Sequence, residues 1–253
     1  MPAISFRTID DVEWNIADDN SFSRLYTHVW KINIPVHISR CNDLKTLLNK
    51  FEEERADRYR LSKDRDRFII SRGWLKILLA KYAGVLPDEV EFLQGADKKP
   101  HMKGSDFHYN VSHSGDWILI AISGRKVGID IEYINPEFAY NDILDQCFSS
   151  QDAGRILTDR DSRVLFYNWW TRKEALLKSS GKGLDDDLPA IPCADGQHLV
   201  SSSMILSEED VLVGSFRVAE GYVGSIACIQ PVNQIAFWDV NRKENMLDKY
   251  LNC

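Results

Sequence analysis

Val127-Gly-Ile-Asp-Ile-Glu-Tyr133 is the stretch of sequence that decides the fold of this chain. In a β-strand its alternation places the carboxylates of Asp130 and Glu132 on one face of an otherwise apolar segment. Two neighbouring ionised carboxylates are costly to bury and raise each other's pKa, so they need a bound cation or open solvent. A hard divalent ion is one candidate, and a half-buried strand with a wet outer face is the alternative.

Size and composition place the chain among globular proteins. Its 253 residues, 44% of them apolar, with seven tryptophans, suffice for one large domain or two modest ones. The N-terminus lacks a basic segment followed by an apolar stretch, and the longest clean apolar run, Trp117 to Ile122, is too short to span a bilayer. We therefore expect a cytoplasmic protein with no membrane partner. Its five cysteines show no spacing typical of zinc sites or disulfide frameworks.

Charge is distributed unevenly along the sequence. The net charge of -7 argues against a general nucleic-acid binder, yet residues 55–81 carry nine Lys or Arg against three Asp. This local excess has two interpretations. It is either a solvated helix face or a site for a phosphorylated ligand or an acidic partner.

Hydrophobic periodicity predicts a mixture of helices and hairpins. A first pair of helices is expected over residues 44–59 and 63–82, the second ending at Gly84. Gly124-Arg-Lys126 predicts a hairpin that pairs the carboxylate strand with the apolar strand 117–123. The remaining predicted elements are helices at 143–148, 152–157 and 163–178 and a second hairpin formed by 211–218 and 222–230. These patterns alone indicate only an α+β protein.

Two further segments carry polar groups suited to phosphate chemistry. In a helix, Lys173, Glu174 and Lys178 lie within an arc of roughly 140°, although Glu174 and Lys178 also have the spacing of an ordinary surface ion pair. The segment Tyr109-Asn-Val-Ser-His-Ser-Gly115 brings two hydroxyls and an imidazole close to the carboxylate strand. Such groups can hold phosphate oxygens, but a single histidine is more often structural.

Taken together, three motifs resemble the signature of the surfactin-synthetase-type 4'-phosphopantetheinyl transferases. They are Asn110-Val-Ser-His-Ser-Gly115, Val127-Gly-Ile-Asp-Ile-Glu132 and Trp170-Thr-Arg-Lys-Glu-Ala-Leu-Leu-Lys178, in that order. The likeness covers roughly residues 44–190. It implies an α+β fold of two similar subdomains related by a pseudo-twofold, with the ligand cleft between them. We expect the N-terminal subdomain to span 1–127 and the C-terminal one 128–253, and the chain to be a monomer.

The resemblance also implies a reaction. It predicts a Mg²⁺-dependent enzyme that moves the phosphopantetheine arm of coenzyme A onto a serine of an apo acyl or peptidyl carrier protein, releasing adenosine 3',5'-bisphosphate. By the same resemblance Glu174 is a metal ligand and also the favoured general base, directly or through a metal-bound water, and Lys178 assists catalysis. The residue roles that it implies are these: Asp130, Glu132 and Glu174 bind the metal; Lys173 and Lys178 neutralise pyrophosphate charge; Arg55, Lys99, Ser112 and His113 hold the nucleotide end, with Arg67 as an additional candidate.

Two other functions remain open from the sequence. One is a metal-dependent phosphotransferase that uses another nucleotide, and the other is a carrier-protein-binding relative without turnover. The chain departs from the family pattern at two places. Lys98 stands where the family usually has a glycine, and Cys147-Phe148 precedes Ser149 where the family usually has two aromatic residues before the serine. These departures leave the proposed ligands intact and affect mainly the expected carrier-protein surface.

Overall fold

Two β-sheets pack face to face, and a long helix covers the outer face of each. The computed structural model describes residues 1–9, 12–16, 26–95, 99–181, 188–231, 234–242 and 247–248. Within these residues the apolar core has three layers: one between the first sheet and its helix, one between the two sheets, and one between the second sheet and its helix. No described helix is long and apolar enough to cross a bilayer.

The described strands form two five-stranded sheets and a two-stranded ribbon. The strands are β1 (Ala3–Thr8), β2 (Asn15–Ile16), β3 (Thr27–Asn33), β4 (Phe92–Gln94), β5 (Pro100–Met102), β6 (His108–Ser114), β7 (Trp117–Ser123), β8 (Val127–Tyr133), β9 (Gly196–Leu199), β10 (Val211–Ala219), β11 (Tyr222–Ile229) and β12 (Ile235–Asp239). The first sheet has the order β2-β12-β3-β7-β6, the second has the order β8-β11-β10-β1-β9, and β4 pairs with β5.

Two long helices dominate the helical layers. The described α-helices are α1 (Ile34–His37), α2 (Cys41–Lys45), α3 (Lys50–Asp57), α4 (Ser62–Ala83), α5 (Leu144–Cys147), α6 (Ser150–Thr158), α7 (Ser162–Ser180) and α8 (Ser202–Ile205). The helix expected over 44–59 is two helices, α2 and α3. It is interrupted because the Asn49 side chain accepts a hydrogen bond from Glu52 N at 3.0 Å, while the Glu52 carboxylate accepts one from Asn49 N. Such a capping box starts a new helix.

The predicted hairpin between the apolar strand and the carboxylate strand is wrong. The two strands have the expected limits, but β7 pairs with β3 and β6, whereas β8 pairs with β11 in the other sheet. The reason is that both edges of β7 are already hydrogen-bonded, one to β3 and the other to β6. No edge of β7 remains for β8, so the short 124–126 connection leads from one sheet to the other. The second predicted hairpin, β10 with β11, is confirmed.

Each sheet contains the same topological unit. In the first, β3 is followed by α4 and then by the hairpin β6–β7, whose second strand pairs antiparallel with β3. In the second, β8 is followed by α7 and then by the hairpin β10–β11, whose second strand pairs antiparallel with β8. The α+β class is therefore confirmed, and the repeated unit is the topology expected of two similar subdomains.

The first strand and the last strand of the described residues cross the expected division between residues 127 and 128. β1 lies between β10 and β9 in the second sheet, and β12 lies between β2 and β3 in the first. Each half of the sequence thus contributes a strand to the sheet of the other half. A division by residue number alone therefore does not separate the two sheets.

Gly128 sets the distance between β8 and the helix that covers it. A Cβ atom at this position would lie 1.9 Å from Ala175 O and 2.4 Å from Ser179 N, both in the backbone of α7. Only a residue without a side chain allows so close an approach of a strand and a helix. Because Glu174 and Lys178 are the neighbours of these two backbone groups, Gly128 brings them close to the carboxylate strand.

We expect Gly128→Ala to lower the free energy of unfolding by about 1–3 kcal/mol, because the added methyl group must displace α7 from β8. Urea denaturation measures the change. The control is Gly154→Ala in α6, where an added Cβ meets no atom within 4 Å, and there alanine should stabilise the helix by about 0.5–1 kcal/mol. A Gly128→Ala protein as stable as the wild type would contradict the close approach.

Candidate active site

Strand β6 connects the two sheets through alternate side chains. The Asn110 side chain accepts a hydrogen bond from Ile129 N at 2.8 Å, and Ser112 Oγ donates to Asp130 Oδ1 at 2.8 Å. Two residues further on, Ser114 Oγ donates to Glu132 Oε2, also at 2.8 Å. The period of two that places Asp130 and Glu132 on one face thus recurs in their partners on β6.

Asp130 lies in a buried, charge-assisted network. Its side chain is 3% exposed, and its Oδ1 accepts a hydrogen bond from Lys178 Nζ at 2.6 Å in addition to that from Ser112. Lys178 Nζ also donates to Ser112 Oγ at 3.0 Å. Burial raises the pKa of Asp130, and the Lys178 charge opposes this shift. The other oxygen, Oδ2, is buried without a hydrogen-bond partner.

Glu174 joins this cluster from α7. Its Oε1 is buried without a hydrogen-bond partner, and burial together with the charges of Asp130 and Glu132 raises its pKa from 4.5 to about 6, although Lys178 opposes the shift. Burial and the Asp130 charge likewise raise the pKa of Glu132. The structure therefore brings the three carboxylates close enough to interact, although they come from two different elements.

The donor set is suitable for Mg²⁺, but it is not arranged as a closed metal site. In the part of the chain that the structure describes, no group of three or more His, Cys, Asp or Glu side chains could hold a metal ion as it stands. The Lys178 ammonium group lies at Asp130 Oδ1, and Ser114 holds Glu132. Two carboxylate oxygens nevertheless have no partner, and a hard divalent cation prefers oxygen ligands. The chemistry of these residues therefore fits the metal.

A cavity of about 340 Å³ opens beside β6, on the side of α3 and α4. Four of the expected nucleotide-binding residues line it: Arg55, Arg67, Lys99 and His113. Ser112 does not line it, because its hydroxyl group faces Asp130. His113, its neighbour on the strand, faces the cavity, where burial and the nearby Arg67 charge lower the pKa of its imidazole. Part of the excess positive charge in residues 55–81, that of Arg55 and Arg67, thus lines this cavity.

The cations of the cavity wall differ in how firmly they are held. The Arg67 guanidinium pairs with Asp64 at 2.9 Å, and that of Arg55 lies 5.0 Å from the centre of the Phe68 ring. Lys99 Nζ donates to two backbone carbonyl groups at 2.8 Å.

A further cation that the sequence motifs do not single out, Arg72, also lines the cavity. Its guanidinium lies 4.3 Å from the centre of the Phe92 ring, and Glu52 approaches it at 3.5 Å. The signal was present in the sequence, because Arg72 follows Phe68 by four residues, and that spacing places both on the same face of α4.

Lys173 does not reach this site, which corrects the role expected for it. Its side chain is completely buried in the second helical layer, where Nζ donates to Cys147 O and Leu188 O at 2.9 Å and lies 4.7 Å from the centre of the Phe148 ring. An ammonium group fixed in this way holds α7 against its neighbours. The arc of roughly 140° was too broad to decide which side chains of the helix reach the carboxylate cluster.

Comparison with known proteins identifies the family. The sequence model of the 4'-phosphopantetheinyl transferase superfamily matches residues 126–227, and that of the 4'-phosphopantetheinyl transferase N-terminal region matches residues 39–125. The 4'-phosphopantetheinyl transferase HetI of Nostoc sp. is 33% identical over 164 residues, which are 62% of this chain and 69% of the relative. The 4'-phosphopantetheinyl transferase Sfp of Bacillus subtilis is 26% identical over 186 residues, covering 71% of this chain and 81% of the relative. The chain therefore belongs to the 4'-phosphopantetheinyl transferase family, the enzymes that transfer the phosphopantetheine group of coenzyme A to a carrier protein.

Proposed function

We propose that the carboxylate cluster and the neighbouring cationic cavity together form the site at which this enzyme transfers phosphopantetheine. The observation that carries the proposal is their adjacency on β6, where Ser112 contacts Asp130 and the next residue, His113, lines the cavity. A molecule of coenzyme A bound with its nucleotide end in the cavity would then have its pyrophosphate beside the carboxylates.

Asp130, Glu132 and Glu174 would hold the Mg²⁺ ion. The unpartnered oxygens of Asp130 and Glu174 support this assignment, because a buried acceptor without a donor is costly unless a ligand satisfies it. When bound, the ion would balance the negative charge of the pyrophosphate and polarise its oxygens.

Glu174 is the general base in this proposal. A general base needs an acceptor atom that is free to take the proton, and Glu174 Oε1 is buried without a hydrogen-bond partner. The carboxylate would take the proton from the carrier serine as the serine oxygen attacks the phosphorus of the pantetheine phosphate. The bond from that phosphorus to the bridging oxygen breaks, and adenosine 3',5'-bisphosphate leaves with the electron pair.

Lys178 is the cation that assists the leaving group. Its ammonium group lies 2.6 Å from Asp130 Oδ1 and 3.0 Å from Ser112 Oγ. These contacts hold it between the carboxylate cluster and the cavity. A positive charge fixed before the reaction stabilises negative charge that develops on phosphate oxygens. Ser112 then positions both Lys178 and Asp130 and is not itself a phosphate ligand.

The nucleotide end would bind through Arg55, Arg67 and His113. All three line the cavity, and a guanidinium group matches the geometry of a phosphate. Since one chain supplies both parts of the site, we propose that it acts as a monomer. We also propose that it works in the cytoplasm on an apo acyl or peptidyl carrier protein.

The electrostatics of Glu174 predict a pH-dependent stability in metal-free buffer. Because its folded-state pKa is raised, the folded protein binds the proton more tightly than the unfolded chain, and this stabilisation disappears as pH rises from 4.5 through about 6. Glu174→Gln cannot ionise, so its stability relative to wild type should increase by about 2 kcal/mol over that range. Chemical denaturation at a series of pH values measures this change, with Glu54→Gln on the exposed face of α3 as the control. A relative stability that is constant with pH would contradict the burial of the Glu174 charge.

Transfer itself is tested with coenzyme A, apo carrier proteins and mass spectrometry. We expect the carrier to gain one phosphopantetheine group with Mg²⁺, no gain with EDTA, and recovery when Mg²⁺ is restored. Glu174→Gln should lower kcat by at least about 10²-fold and leave coenzyme A affinity within a few-fold, as for a lost general base. Binding of the carrier without a mass gain would instead indicate the non-enzymatic relative, and full turnover in chelator would exclude the metal role.

Recognition of the 3'-phosphate is tested by comparing the affinities of the protein for coenzyme A and for 3'-dephospho-coenzyme A. Arg55→Ala and His113→Ala should each weaken coenzyme A by about 10-fold or more, the usual effect of losing a hydrogen bond to a charged group such as the phosphate, and weaken the dephospho form much less. The matched control is Arg58→Ala, an exposed cation at the end of α3. Equal losses for both ligands would show that neither residue reads this phosphate.

A further inference from the structure

Lys99 connects the cavity wall to the second sheet and its helix. It immediately precedes β5 and lines the cavity. Its ammonium group donates one hydrogen bond to Val127 O and another to Lys178 O, both at 2.8 Å. Val127 begins β8, and Lys178 lies in the last turn of α7. A single side chain thus joins three elements that are far apart in the sequence.

Both acceptors are groups that their own elements leave without a partner. The last four carbonyl groups of a helix have no intrahelical donor, and a cation near the helix C-terminus is favoured by the helix dipole. Val127 lies in β8, which forms an edge of its sheet among the described strands, and one side of an edge strand presents unpaired carbonyl groups. The ammonium group therefore satisfies two part-buried acceptors where the strand and the helix meet.

The two hydrogen bonds of Lys99 lie next to the closest contact between β8 and α7. Val127 directly precedes Gly128, where β8 and α7 approach most closely, and Ser179, one of the backbone contacts of Gly128, directly follows Lys178. Lys178 also carries the ammonium group that binds Asp130 at 2.6 Å. Fixing the Lys178 backbone therefore fixes the origin of the side chain that lies between the carboxylate cluster and the cavity.

We propose that Lys99 is a positioning residue that clamps the start of β8 to the end of α7 and so sets the geometry of Lys178 and Asp130. This assignment rests on the proposed function and replaces the phosphate-binding role expected for Lys99 from the sequence. Removal of the clamp should impair turnover more than coenzyme A binding, because a small misplacement of a catalytic group is costly in rate. It should impair the reaction of 3'-dephospho-coenzyme A to the same extent.

Two measurements on Lys99→Met test the clamp. Amide hydrogen exchange of the metal-free, substrate-free protein should become faster in residues 124–131 and 175–181. In transfer assays kcat should fall by at least about 10-fold with coenzyme A and with its 3'-dephospho form, while the Kd of each changes by less than about 3-fold. Lys99→Arg retains the charge and the donors and should restore much of the protection and of the rate.

The control is Lys126→Met, which removes an exposed cation one residue before Val127 without removing a donor to its carbonyl group. It should leave exchange and kcat unchanged. Lys99→Gln takes the place of Lys99→Met if the latter does not fold. Unchanged exchange in both segments would overturn the proposal, as would an affinity loss confined to coenzyme A at a normal kcat. Because exchange is measured without substrates, it tests the clamp even if the proposed transfer site is wrong.

Discussion

The hydrogen-bonded ion pair between Asp130 and Lys178 is the interaction on which the site depends. A buried carboxylate is strongly unfavourable unless it is paired and hydrogen-bonded. Asp130 is 3% exposed, burial raises its pKa, and its charge in turn raises the pKa of two neighbouring carboxylates, Glu132 and Glu174. The ammonium group of Lys178 and the hydroxyl group of Ser112 compensate one of its oxygens. The other remains without a partner, which makes the cluster a site that a cation would stabilise.

The cations of α7 show how position on a helix decides the role of a residue. Arg172 and Lys173 are buried away from the carboxylate cluster, where they donate to the carbonyl groups of Cys193 and Leu188 respectively. Lys178 lies at the cluster, with its ammonium group on Asp130. The first two hold the segment that returns after α7 against the helix, and the third contributes its charge to the site. One helix thus carries both the support of the site and part of its chemistry.

The alternate side chains of strand β6 likewise contact different parts of the site. Asn110, Ser112 and Ser114 hydrogen-bond to β8, and His113 faces the cavity. Because successive side chains of a strand point in opposite directions, β6 links the carboxylate cluster to the cationic wall of the cavity without a loop between them. A ligand that spans both would be held against a rigid element, which favours precise positioning of reacting groups.

By itself the sequence determined the α+β class, the limits of β7 and β8, the alternation that groups Asp130 with Glu132, and the family. These follow from local periodicity and from motifs whose residues are close in the chain. It did not determine that β7 and β8 belong to different sheets, because a short turn containing glycine is compatible with a hairpin and with a passage between layers.

Only the tertiary structure decided which charged residues lie at the carboxylate cluster. Lys173 and Lys178 both fall within the arc that the sequence allowed, yet the close approach at Gly128 fixes the rotation of α7 and turns Lys173 into the core. The two carbonyl groups to which Lys99 donates belong to residues 28 and 79 positions further along the chain. Such contacts depend on packing between distant elements, which local sequence patterns do not encode.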